Sequence, residues 1–544
     1  MPVNYSSYRI RNAQRSDQWG ALPDSFFVKL GVARDDIIGL QTQFQGDIVL
    51  PGNPDYDEDR KLSNPLFNYY PLMIAYCVVE SDVSIALNFV RQLNLEFCLR
   101  SGGHCTAGFS SGPGILIDVS NLNSIVVDAE ARTVVVGCGV KFGDLNAELN
   151  LYGLHVPGGE CPDVCIGGYV QGGGYGFTSV TLGMNCDNVI SMKVMLADGS
   201  VVEASRTRNL DLWWAMRGGT GGNFGILLSV KYHLYELTDV FGFALIWPLS
   251  SQSDFEQAAD VMMLLQEDYM LDSQYGPELN LQVSLCYQSI IDAGDPEGEL
   301  KPYFMVRGLH VGSKADGLAA IAALQAMPGC YTQWTKVRRY EKMNEMLLNY
   351  PQGMPPITTM PNEDKACRYV KQKLTKEKWT DILAFFPTGK TNKAYMYLEF
   401  YGGRINEASA LENSFIHRDV AYNAVMDVFW YEEEDRPAAE KYLADWLALI
   451  EPVWNGHVYQ NYPNINAVNY AEKYWGYAVC ALSLIKGKYD PDCLFSFAQM
   501  VPPFGHEGTE KQDDWPMPEE LQLAFDAEID FSGGVAAAPS ASSG

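Results

Sequence analysis

The chain is long, acidic and of ordinary globular composition. Its 544 residues exceed the usual size of one hydrophobic core, so we expect two or three lobes of roughly 100 to 200 residues each. Hydrophobic residues make up 47% of the chain and charged residues 19%, which excludes global disorder. The formal net charge of −28 repels phosphate backbones and anionic lipid surfaces, which argues against nucleic acid or a membrane as a partner.

Cysteine usage and the N-terminal sequence bear on metal binding and location. Twelve cysteines are too sparse for a disulfide scaffold in a chain of this length, and none has zinc-ligand spacing, so we expect no metal site. The start, Met1 to Ser6, lacks the charged and apolar regions of a signal peptide, and no run of about 18 apolar residues occurs. We expect a cytoplasmic protein, or a secreted one if a leader was removed.

The first predicted elements, taken in chain order, are short strands, one helix and several glycine-rich turns. Ser81 and Asp82 offer an N-cap for a helix over Val83–Val90, whose apolar residues recur at helical spacing. β-Branched segments bounded by turn residues predict strands at Leu95–Arg100, Gly114–Asp118, Thr133–Val136 and Ile190–Leu196. After an N-terminal extension over residues 1–40, this order predicts an α+β nucleotide-binding lobe over residues 41–235.

Beyond residue 235 the glycine density falls, and strands alternate with helices. Leu281–Leu285 and Tyr395–Phe400 predict strands, and Asp316–Met327 and Ala438–Ile450 predict helices. We therefore expect a second α+β lobe over residues 236–456. The last residues, 504–544, end in a run of small residues that is typical of a frayed tail.

Glycine clusters in the first lobe mark places where the backbone approaches another group closely. Arg100–His104 (RSGGH) follows a predicted strand, so its small residues can expose backbone N–H groups to a pyrophosphate, and His104 then emerges beside the cofactor. Downstream come Gly158–Gly168 (GGECPDVCIGG) and Gln171–Gly176 (QGGGYG). Neither cluster has the GxGxxG spacing after a strand that indicates a Rossmann fold.

The order of these motifs, SGGH, then GxCPxVxxGG, then GGGYG, resembles the berberine-bridge-enzyme-like branch of the vanillyl-alcohol-oxidase flavoproteins. The likeness continues through Cys186–Val189, Asp211–Gly219 and Gly222–Ile226, although Thr220 stands where a glycine is expected. The resemblance implies a PCMH-type FAD-binding lobe of two subdomains, joined to an α+β substrate-binding lobe with an antiparallel sheet.

The resemblance also implies two covalent bonds to FAD, from His104 to the 8α carbon and from Cys161 to C6. Cys165 and Cys105 are nearby thiols, and attachment through Cys165 is a rival, although only Cys161 precedes the proline of the motif. Outside the motif, His104 would be a hydrogen-bonded turn histidine and Cys161 a buried, inert thiol. The further residues expected to line the FAD site are Arg100, Ser101, Gly102, Gly103, Gly108, Gly167, Gly168, Gly172, Gly174, Tyr175, Gly176, Asn188 and Ile226.

Near the C-terminus the likeness resumes in Tyr459–Asn464, Tyr474–Gly476 and Ile485–Pro491, so a segment over residues 457–503 is expected to return to the FAD lobe. Oxidation of an alcohol needs a base for the hydroxyl proton, and a tyrosine can serve if cationic or hydrogen-bonding neighbours lower its pKa from about 10. Tyr462 is the candidate base; the alternative is a core tyrosine with a satisfied hydroxyl. The family usually has an acid where this chain has Asn464.

Two further groups are expected on the substrate side. Strand alternation puts Tyr397, Glu399 and Tyr401 on one face, which in the resembling family lines the substrate side of the flavin. Glu399 is then a partner for Tyr462 or the substrate hydroxyl, or else a solvated carboxylate. Tyr175 resembles an active-site tyrosine, and an equal alternative is a ring packed against its glycine turn.

These features predict an FAD-dependent oxidase. Tyr462 takes the proton of an alcohol or hemiacetal, hydride passes to the flavin, and O2 regenerates FAD with release of H2O2. Val164 stands at the family's oxygen gate, where valine is associated with oxidases and leucine with dehydrogenases. The substrate is expected to be a sugar, an oligosaccharide, or a glycosylated or polycyclic small molecule. We expect a monomer or homodimer.

Two alternatives stay open. One is a natural-product tailoring enzyme that performs oxidative cyclisation or dehydrogenation, and a more distant one is a flavin-retaining cyclase without net redox turnover. Thr106 stands where family members commonly have an aromatic residue, which indicates a different substrate pocket.

Overall fold

The first sheet combines parallel and antiparallel strands. The computed structural model describes residues 22–271, 273–289, 300–348, 360–389 and 394–505. The strands of this sheet are β1 (Asp47–Val49), β2 (Met73–Tyr76), β3 (Phe97–Arg100) and β4 (Ile115–Asp118). They lie in the order β1-β2-β4-β3, with β4 parallel to β2 and β3. β2 and β4 are buried along their whole length, as is usual for parallel strands covered on both faces.

Four helices accompany this sheet: α1 (Asp24–Leu30), α2 (Arg34–Gln43), α3 (Tyr56–Asp59) and α4 (Glu80–Gln92). Phe27 of α1, with Ile37 and Leu40 of α2, is buried in the same hydrophobic core as the sheet. The predicted boundary between residues 40 and 41 falls inside α2, and we propose that residues 22–40 belong to the first lobe, with which they pack. The rest of the predicted extension, residues 1–21, lies outside the described residues.

Helix α4 begins at Glu80, three residues before the predicted start. Its N-cap position is occupied by Val79, and Asp82 lies inside the helix. The Asp82 carboxylate lies in the first turn and accepts hydrogen bonds from the backbone N–H groups of Gln45, Gly46 and Val78, at 2.8, 3.1 and 3.0 Å. A carboxylate is favourable at a helix N-terminus, and here it also holds two loops. The predicted cap is thus a tertiary contact.

A second, antiparallel sheet completes the first lobe. Its strands are β5 (Ile125–Asp128), β6 (Thr133–Gly137), β8 (Val189–Met195), β9 (Val201–Ser205) and β10 (Ile226–His233), and a separate ribbon pairs β7 (Leu154–His155) with β11 (Tyr235–Glu236). The five strands lie in the order β5-β6-β10-β8-β9. The helices here are α5 (Phe142–Asn150), α6 (Ile166–Gln171), α7 (Ser179–Leu182) and α8 (Leu210–Ala215). The four strands predicted in this lobe are confirmed, each within two residues at either end.

The second lobe is built on a seven-stranded antiparallel sheet. Its strands are β12 (Asp239–Pro248), β13 (Leu279–Ser289), β14 (Leu300–His310), β15 (Tyr331–Arg339), β16 (Asn362–Val370), β17 (Ala394–Phe400) and β18 (Tyr422–Trp430). They lie in the order β15-β12-β14-β13-β17-β18-β16. The helices are α9 (Gln252–Asp268), α10 (Lys314–Gln325), α11 (Tyr340–Leu347), α12 (Lys376–Phe385), α13 (Gly403–Glu407) and α14 (Arg436–Ile450). The predicted α+β class with an antiparallel sheet is confirmed.

The two faces of this sheet differ sharply in chemistry. One face is apolar and packs on helices α9, α12 and α14, which bury Val261, Trp379 and Trp446 in a common core. Side chains of this face are Leu281, Val283, Leu285, Val306, Leu398, Ala424 and Met426. The other face carries polar side chains and is turned toward the first lobe, which hydrogen-bonds to it. The interface between the lobes therefore combines these polar groups with apolar side chains such as Ile246, Met305 and Tyr397, which lie in the hydrophobic core of the first lobe.

The C-terminal segment closes the first lobe. It contains α15 (Tyr470–Trp475) and α16 (Val479–Tyr489). The ammonium group of Lys486, fully buried, donates to the carbonyl oxygens of Asn223 and Phe495 and to the carboxylate of Asp490, at 2.7, 2.6 and 2.6 Å. On this layout we propose three units, over residues 22–235, 236–456 and 457–503. The predicted tail, residues 504–544, lies outside the described residues except for its first two.

One buried ion pair joins the two lobes and supports a stability prediction. Arg418 of the second lobe donates from both terminal nitrogens to Asp187 of the first, at 2.8 and 2.5 Å. Burial alone would raise the pKa of Asp187, but the Arg418 charge holds it below its usual range. Because Asp187→Asn leaves a buried guanidinium unpaired, we expect it to lower the free energy of unfolding by about 3 to 5 kcal/mol.

Urea denaturation measures this loss, and Asp419→Asn is the matched control. Asp419 pairs with Lys371 at the surface, with its side chain 76% exposed, so its substitution should cost less than about 1 kcal/mol. Equal effects of the two substitutions would contradict a stabilising role for the Asp187 pair.

Of the helices in the described ranges, none combines the length and apolar character needed to cross a bilayer.

Candidate active site

The loop that leaves β3 carries the first predicted motif. Arg100, its last strand residue, is buried and forms an ion pair with Asp118 of β4, and its guanidinium also donates to the Tyr76 hydroxyl at 3.1 Å. The guanidinium of Arg100 is thus engaged within the sheet, and the contact of this residue with a cofactor stays a prediction. Ser101 likewise donates to the backbone oxygen of Cys138, at 2.7 Å.

His104 follows on this loop with a free imidazole. It is partly buried and forms no hydrogen bond or ion pair with the described residues, which argues against the alternative of a satisfied turn histidine. Burial lowers the pKa of His104, so the ring is neutral at physiological pH and keeps a nucleophilic nitrogen. Further along this loop, the buried hydroxyls of Ser110 and Ser111 also lack partners among the described residues. One loop thus carries three unpaired polar groups, which suits a polar ligand such as a flavin nucleotide.

The loop before α6 holds the two rival cysteines in different surroundings. It is tied to α5 by the N–H of Phe142, which donates to the Val164 oxygen at 3.0 Å. Cys165 is buried with its sulfur 3.3 Å from the Gly139 oxygen, and burial raises its pKa to about 12. A Cβ built on Gly102 would lie 3.1 Å from that sulfur, so the two loops touch there. Cys161 and Val164 are partly exposed.

The glycines of the later motifs mostly serve packing within the chain. A Cβ on Gly176 would lie 1.9 Å from the Gly158 oxygen, and one on Gly172 would lie 2.0 Å from the Asn461 side chain. Gly108 and Gly174, at φ +74° and +88°, similarly approach Phe67 and Tyr169, and Gly167 approaches the Cys138 oxygen. Gly168 on α6, by contrast, faces open space. Of the predicted cofactor glycines in these later motifs, Gly168 has room for a ligand beside it.

Two other predicted cofactor contacts have roles in the framework. The Asn188 amide donates to the backbone oxygens of Leu182 and Met184, at 3.2 and 2.9 Å, and so closes the turn after α7. Ile226 opens β10 opposite Met195. Gly103 takes a positive φ of 73° on the His104 loop.

Tyr175 lies at the interface between the lobes. Its hydroxyl donates to the backbone oxygen of Phe400 in β17, at 3.1 Å, and its ring stacks on Tyr401 with centroids 5.4 Å apart. The Tyr459 hydroxyl accepts from the backbone N–H groups of Gly174 and Tyr175, at 2.9 and 3.2 Å. Tyr175 therefore joins the glycine turn to the end of the polar sheet face.

Tyr462 and Glu399 meet directly. The Tyr462 hydroxyl donates to Oε1 of Glu399 at 2.6 Å, and the Asn423 amide donates to Oε2 at 2.9 Å. Glu399 has no solvent exposure, which excludes the alternative of a solvated carboxylate. Burial raises the pKa of Glu399 to about 8, although both hydrogen bonds favour its ionised form.

The described neighbours of Tyr462 do not meet the condition of lowering its pKa. Burial raises the pKa of Tyr462 well above its usual range, and the negative charge of Glu399 adds to the effect. The ammonium group of Lys365 does lie 4.7 Å from the centre of the ring, but it is shared with Glu363 and Asp427, at 3.2 and 3.3 Å. The Tyr462 hydroxyl therefore keeps its proton and donates a hydrogen bond to Glu399.

The positions where the chain departs from the resembling family hold the Tyr462 segment in place. Thr106, two residues after His104, donates to the Pro463 oxygen at 2.8 Å. Asn464 donates to the carboxylate of Asp364 at 2.8 Å, and burial raises the pKa of that acid to about 6. These contacts bring the His104 loop and Tyr462 to the same edge of the sheet.

Several buried polar groups of the site were missed by sequence reasoning. They are Glu160, Gln282, Arg307, Lys365 and Asn423. A signal was present, because β13 alternates strictly as Asn-Leu-Gln-Val-Ser-Leu from residue 280. Such alternation normally indicates a strand with one face in water, whereas here the polar face meets the other lobe.

Comparison with known families supports this arrangement. An FAD binding domain model matches residues 71–205, and a berberine and berberine-like domain model matches residues 458–502. The first match runs from β2 to β9 and includes the His104 and Cys161 loops. The second includes Tyr462.

Similar proteins cover most of the chain. The FAD-linked oxidoreductase YvdP of Bacillus subtilis is 27% identical over 474 residues, 85% of this chain and 99% of that protein. A carbohydrate oxidase of Microdochium nivale is 26% identical over 486 residues, 84% of this chain and 92% of that protein. The structure of Physcomitrella patens BBE-like 1 has a TM-score of 0.75 at 23% identity, covers 87% of this chain and 100% of that one, and confirms the predicted PCMH-type fold. The chain therefore contains an FAD binding domain and a berberine and berberine-like domain, and along most of its length it is similar to FAD-linked oxidoreductases and to berberine-bridge-enzyme-like structures.

Proposed function

We propose that this protein is an oxidase that acts on an alcohol or hemiacetal carbon of a sugar, an oligosaccharide, or a glycosylated or polycyclic small molecule. In the overall reaction, CH–OH and O2 give C=O and H2O2, so atoms and electrons balance. The observation that carries the proposal is the 2.6 Å hydrogen bond from Tyr462 to Glu399, at the interface onto which the His104 loop also opens. A hydroxyl backed by a buried carboxylate suits removal of a substrate proton.

The proton route follows from the direction of that hydrogen bond. The Tyr462 oxygen accepts the substrate hydroxyl proton while its own proton passes to Oε1 of Glu399. The carboxylate becomes a carboxylic acid, and Asn423 keeps it in position from Oε2. Because Tyr462 need not ionise in advance, its raised pKa does not oppose the reaction.

Glu399 must be ionised before it can receive this proton. Since burial raises its pKa to about 8, the receptive form grows as the pH rises toward that value. The same raised pKa makes the carboxylate a stronger base than an exposed glutamate, and base strength near the operating pH favours proton transfer. The site is therefore suited to neutral and mildly alkaline conditions.

FAD, when bound, accepts the hydrogen and electron pair that leave the substrate carbon. We propose that it is attached through His104 and Cys161, and that Gly168, which faces open space, leaves it room. The neutral imidazole of His104, unpaired among the described residues, supports the first bond. The partial exposure of Cys161, against the burial of Cys165, supports the second. Val164, beside Cys161, supports oxygen as the acceptor.

Substrate class is the part of the proposal that a screen can decide. We expect aldoses or oligosaccharides to bleach the flavin anaerobically and to release H2O2 in air, as the similarity to a carbohydrate oxidase supports. Peroxide release is measured with a peroxidase-coupled dye on the purified holoenzyme, with Tyr462→Phe as the inactive reference. Activity on polycyclic aromatic substrates alone would replace the sugar with a natural-product substrate, and a flavin that stays oxidised with every compound would contradict the oxidase.

A further inference from the structure

Glu160, the residue before Cys161, reaches out of the first lobe and is held by the sheet of the second. Its carboxylate accepts a hydrogen bond from the Gln282 amide and lies 3.6 Å from the Arg307 guanidinium. Its backbone oxygen accepts from the Asn344 amide of α11, at 2.8 Å. The Arg307 side chain is 3% exposed and that of Glu160 18%, so the contact is largely shielded from water. Glu160 is thus fixed at both its backbone and its side chain.

Gln282 connects this contact to the acid of the catalytic pair. In the sheet register, Gln282 lies directly opposite Arg307 on β14 and directly opposite Glu399 on β17. Opposed residues share one face, with Cβ atoms about 5 Å apart. Arg307 donates to the Gln282 oxygen at 2.9 Å, and the Gln282 nitrogen donates to Glu160. The side-chain amide of Gln282 therefore lies between Glu160 and Glu399 on the buried face of the sheet.

We propose that Glu160 is a positioning residue whose negative charge, held in place by Gln282 and Arg307, makes Glu399 a stronger base for Tyr462. The proposal rests on the proposed role of that pair in proton transfer. Two carboxylates on one water-poor face disfavour each other's ionisation, so fixing one of them in the charged form strengthens the hold of the other on a proton. Arg307 holds the Glu160 side chain in place across the interface between the lobes.

Other groups that face Glu399 act in known directions. They are Tyr397 on β17 and Tyr401 just after it, Lys365, Cys367 and Tyr369 on β16, Asn423 on β18, Tyr169, Tyr175, Tyr459 and Tyr462 from the first lobe and C-terminal segment, and Glu160, with Asp427 beside Lys365 and Arg307 across Gln282. Burial is the main cause of the raised pKa of Glu399; the hydrogen bonds from Tyr462 and Asn423 and the charge of Lys365 oppose it, and the charge of Glu160 adds to it. Lys365 is itself offset by Glu363 and Asp427.

Infrared difference spectroscopy of the holoenzyme tests the proposal without any substrate. The carbonyl stretch of a protonated carboxylic acid is followed against pH, and its loss in Glu399→Gln identifies the Glu399 band. We expect Glu160→Gln to lower the midpoint of this band by about 1 pH unit. Glu160→Asp keeps the charge, so its midpoint should lie closer to the wild-type value than that of Glu160→Gln. Glu203→Gln removes an exposed carboxylate paired with Arg208 and should leave the midpoint unchanged.

An unchanged midpoint in Glu160→Gln, with wild-type flavin content and melting temperature, would overturn the proposal. If that variant does not fold, Glu160→Ser removes the same charge with a smaller side chain and is judged by the same midpoint. The rate of flavin reduction gives a second readout once a substrate is known: the acid limb should move to lower pH and the plateau should fall, because the base is weaker. Failure to find a substrate would count against the proposed function, while the infrared midpoint would still decide the role of Glu160.

Discussion

Tyr462→Phe is expected to lower the rate of flavin reduction by about a thousandfold, within the usual range for loss of a general base. The phenyl ring keeps the packing against Tyr459, whose ring centre is 4.9 Å away, but it cannot accept the substrate proton or donate to Glu399. Anaerobic stopped-flow mixing with a substrate from the screen measures the rate. Flavin content should be unchanged, since the hydroxyl that is removed bonds to Glu399.

Tyr470→Phe is the matched control. It removes a tyrosine hydroxyl from the same C-terminal segment, where the group donates to the Met500 oxygen at 2.8 Å, and should leave the rate unchanged. Glu399→Gln distinguishes a proton relay from Tyr462 to Glu399 from a tyrosine that acts alone, because the carboxamide has no basic oxygen to receive a proton. A Tyr462→Phe variant that keeps its rate would transfer the role of base to another group and remove the main support for the proposed function.

The relay also fixes the sign of the pH dependence. The pKa of Glu399 is raised to about 8, so the ionised, proton-accepting form is lost as the pH falls below that value. The rate of flavin reduction should therefore decline about tenfold per pH unit on the acid side and level off above the pKa. A limb of this kind should be absent from Glu399→Gln.

The strand pattern and the order of motifs were enough to predict the α+β class and to give Tyr462 as one of the possible partners of Glu399. Alternation along residues 395–401 put Glu399 on one face with Tyr397, and both do lie beside Tyr462. Position 220, where a glycine is expected, is also informative. Thr220 adopts φ +67°, and its hydroxyl accepts a hydrogen bond from the Asn223 amide at 2.8 Å. A left-handed backbone is thus kept with a β-branched side chain, where glycine would be less strained.

Partner identity could not be predicted from local pattern. Arg100 ends β3 directly before the SGGH motif, yet its partner is Asp118, which is 18 residues away and adjacent only through the parallel register. The glycines after α6 indicate close approach correctly, but the approaching atoms belong to Gly158 and Asn461. Close approach is a property of a glycine alone, whereas what approaches it depends on how distant segments pack.

The covalent link to FAD carries the other large expected effect. Flavin should remain on the acid-denatured wild-type chain, remain on His104→Ala and on Cys161→Ala through the other bond, and leave the double variant completely. The imidazole of His104 is neutral and forms no bond to the described residues, so it has a nitrogen available for attachment. Absorbance of the washed, denatured polypeptide measures the flavin retained.

Cys165→Ala decides between the two thiols, because it removes the rival and leaves the CP motif intact. The thiolate is the reactive form of cysteine, and burial raises the pKa of Cys165 to about 12, so its sulfur stays protonated beside the Gly139 oxygen. We therefore expect His104→Ala/Cys165→Ala to keep its flavin and His104→Ala/Cys161→Ala to lose it. The reverse pattern would require the loop between these cysteines to turn over and expose Cys165, at the cost of the Phe142 to Val164 hydrogen bond that ties it to α5. Loss of flavin from the denatured wild type would remove both attachments and leave FAD held by the fold alone.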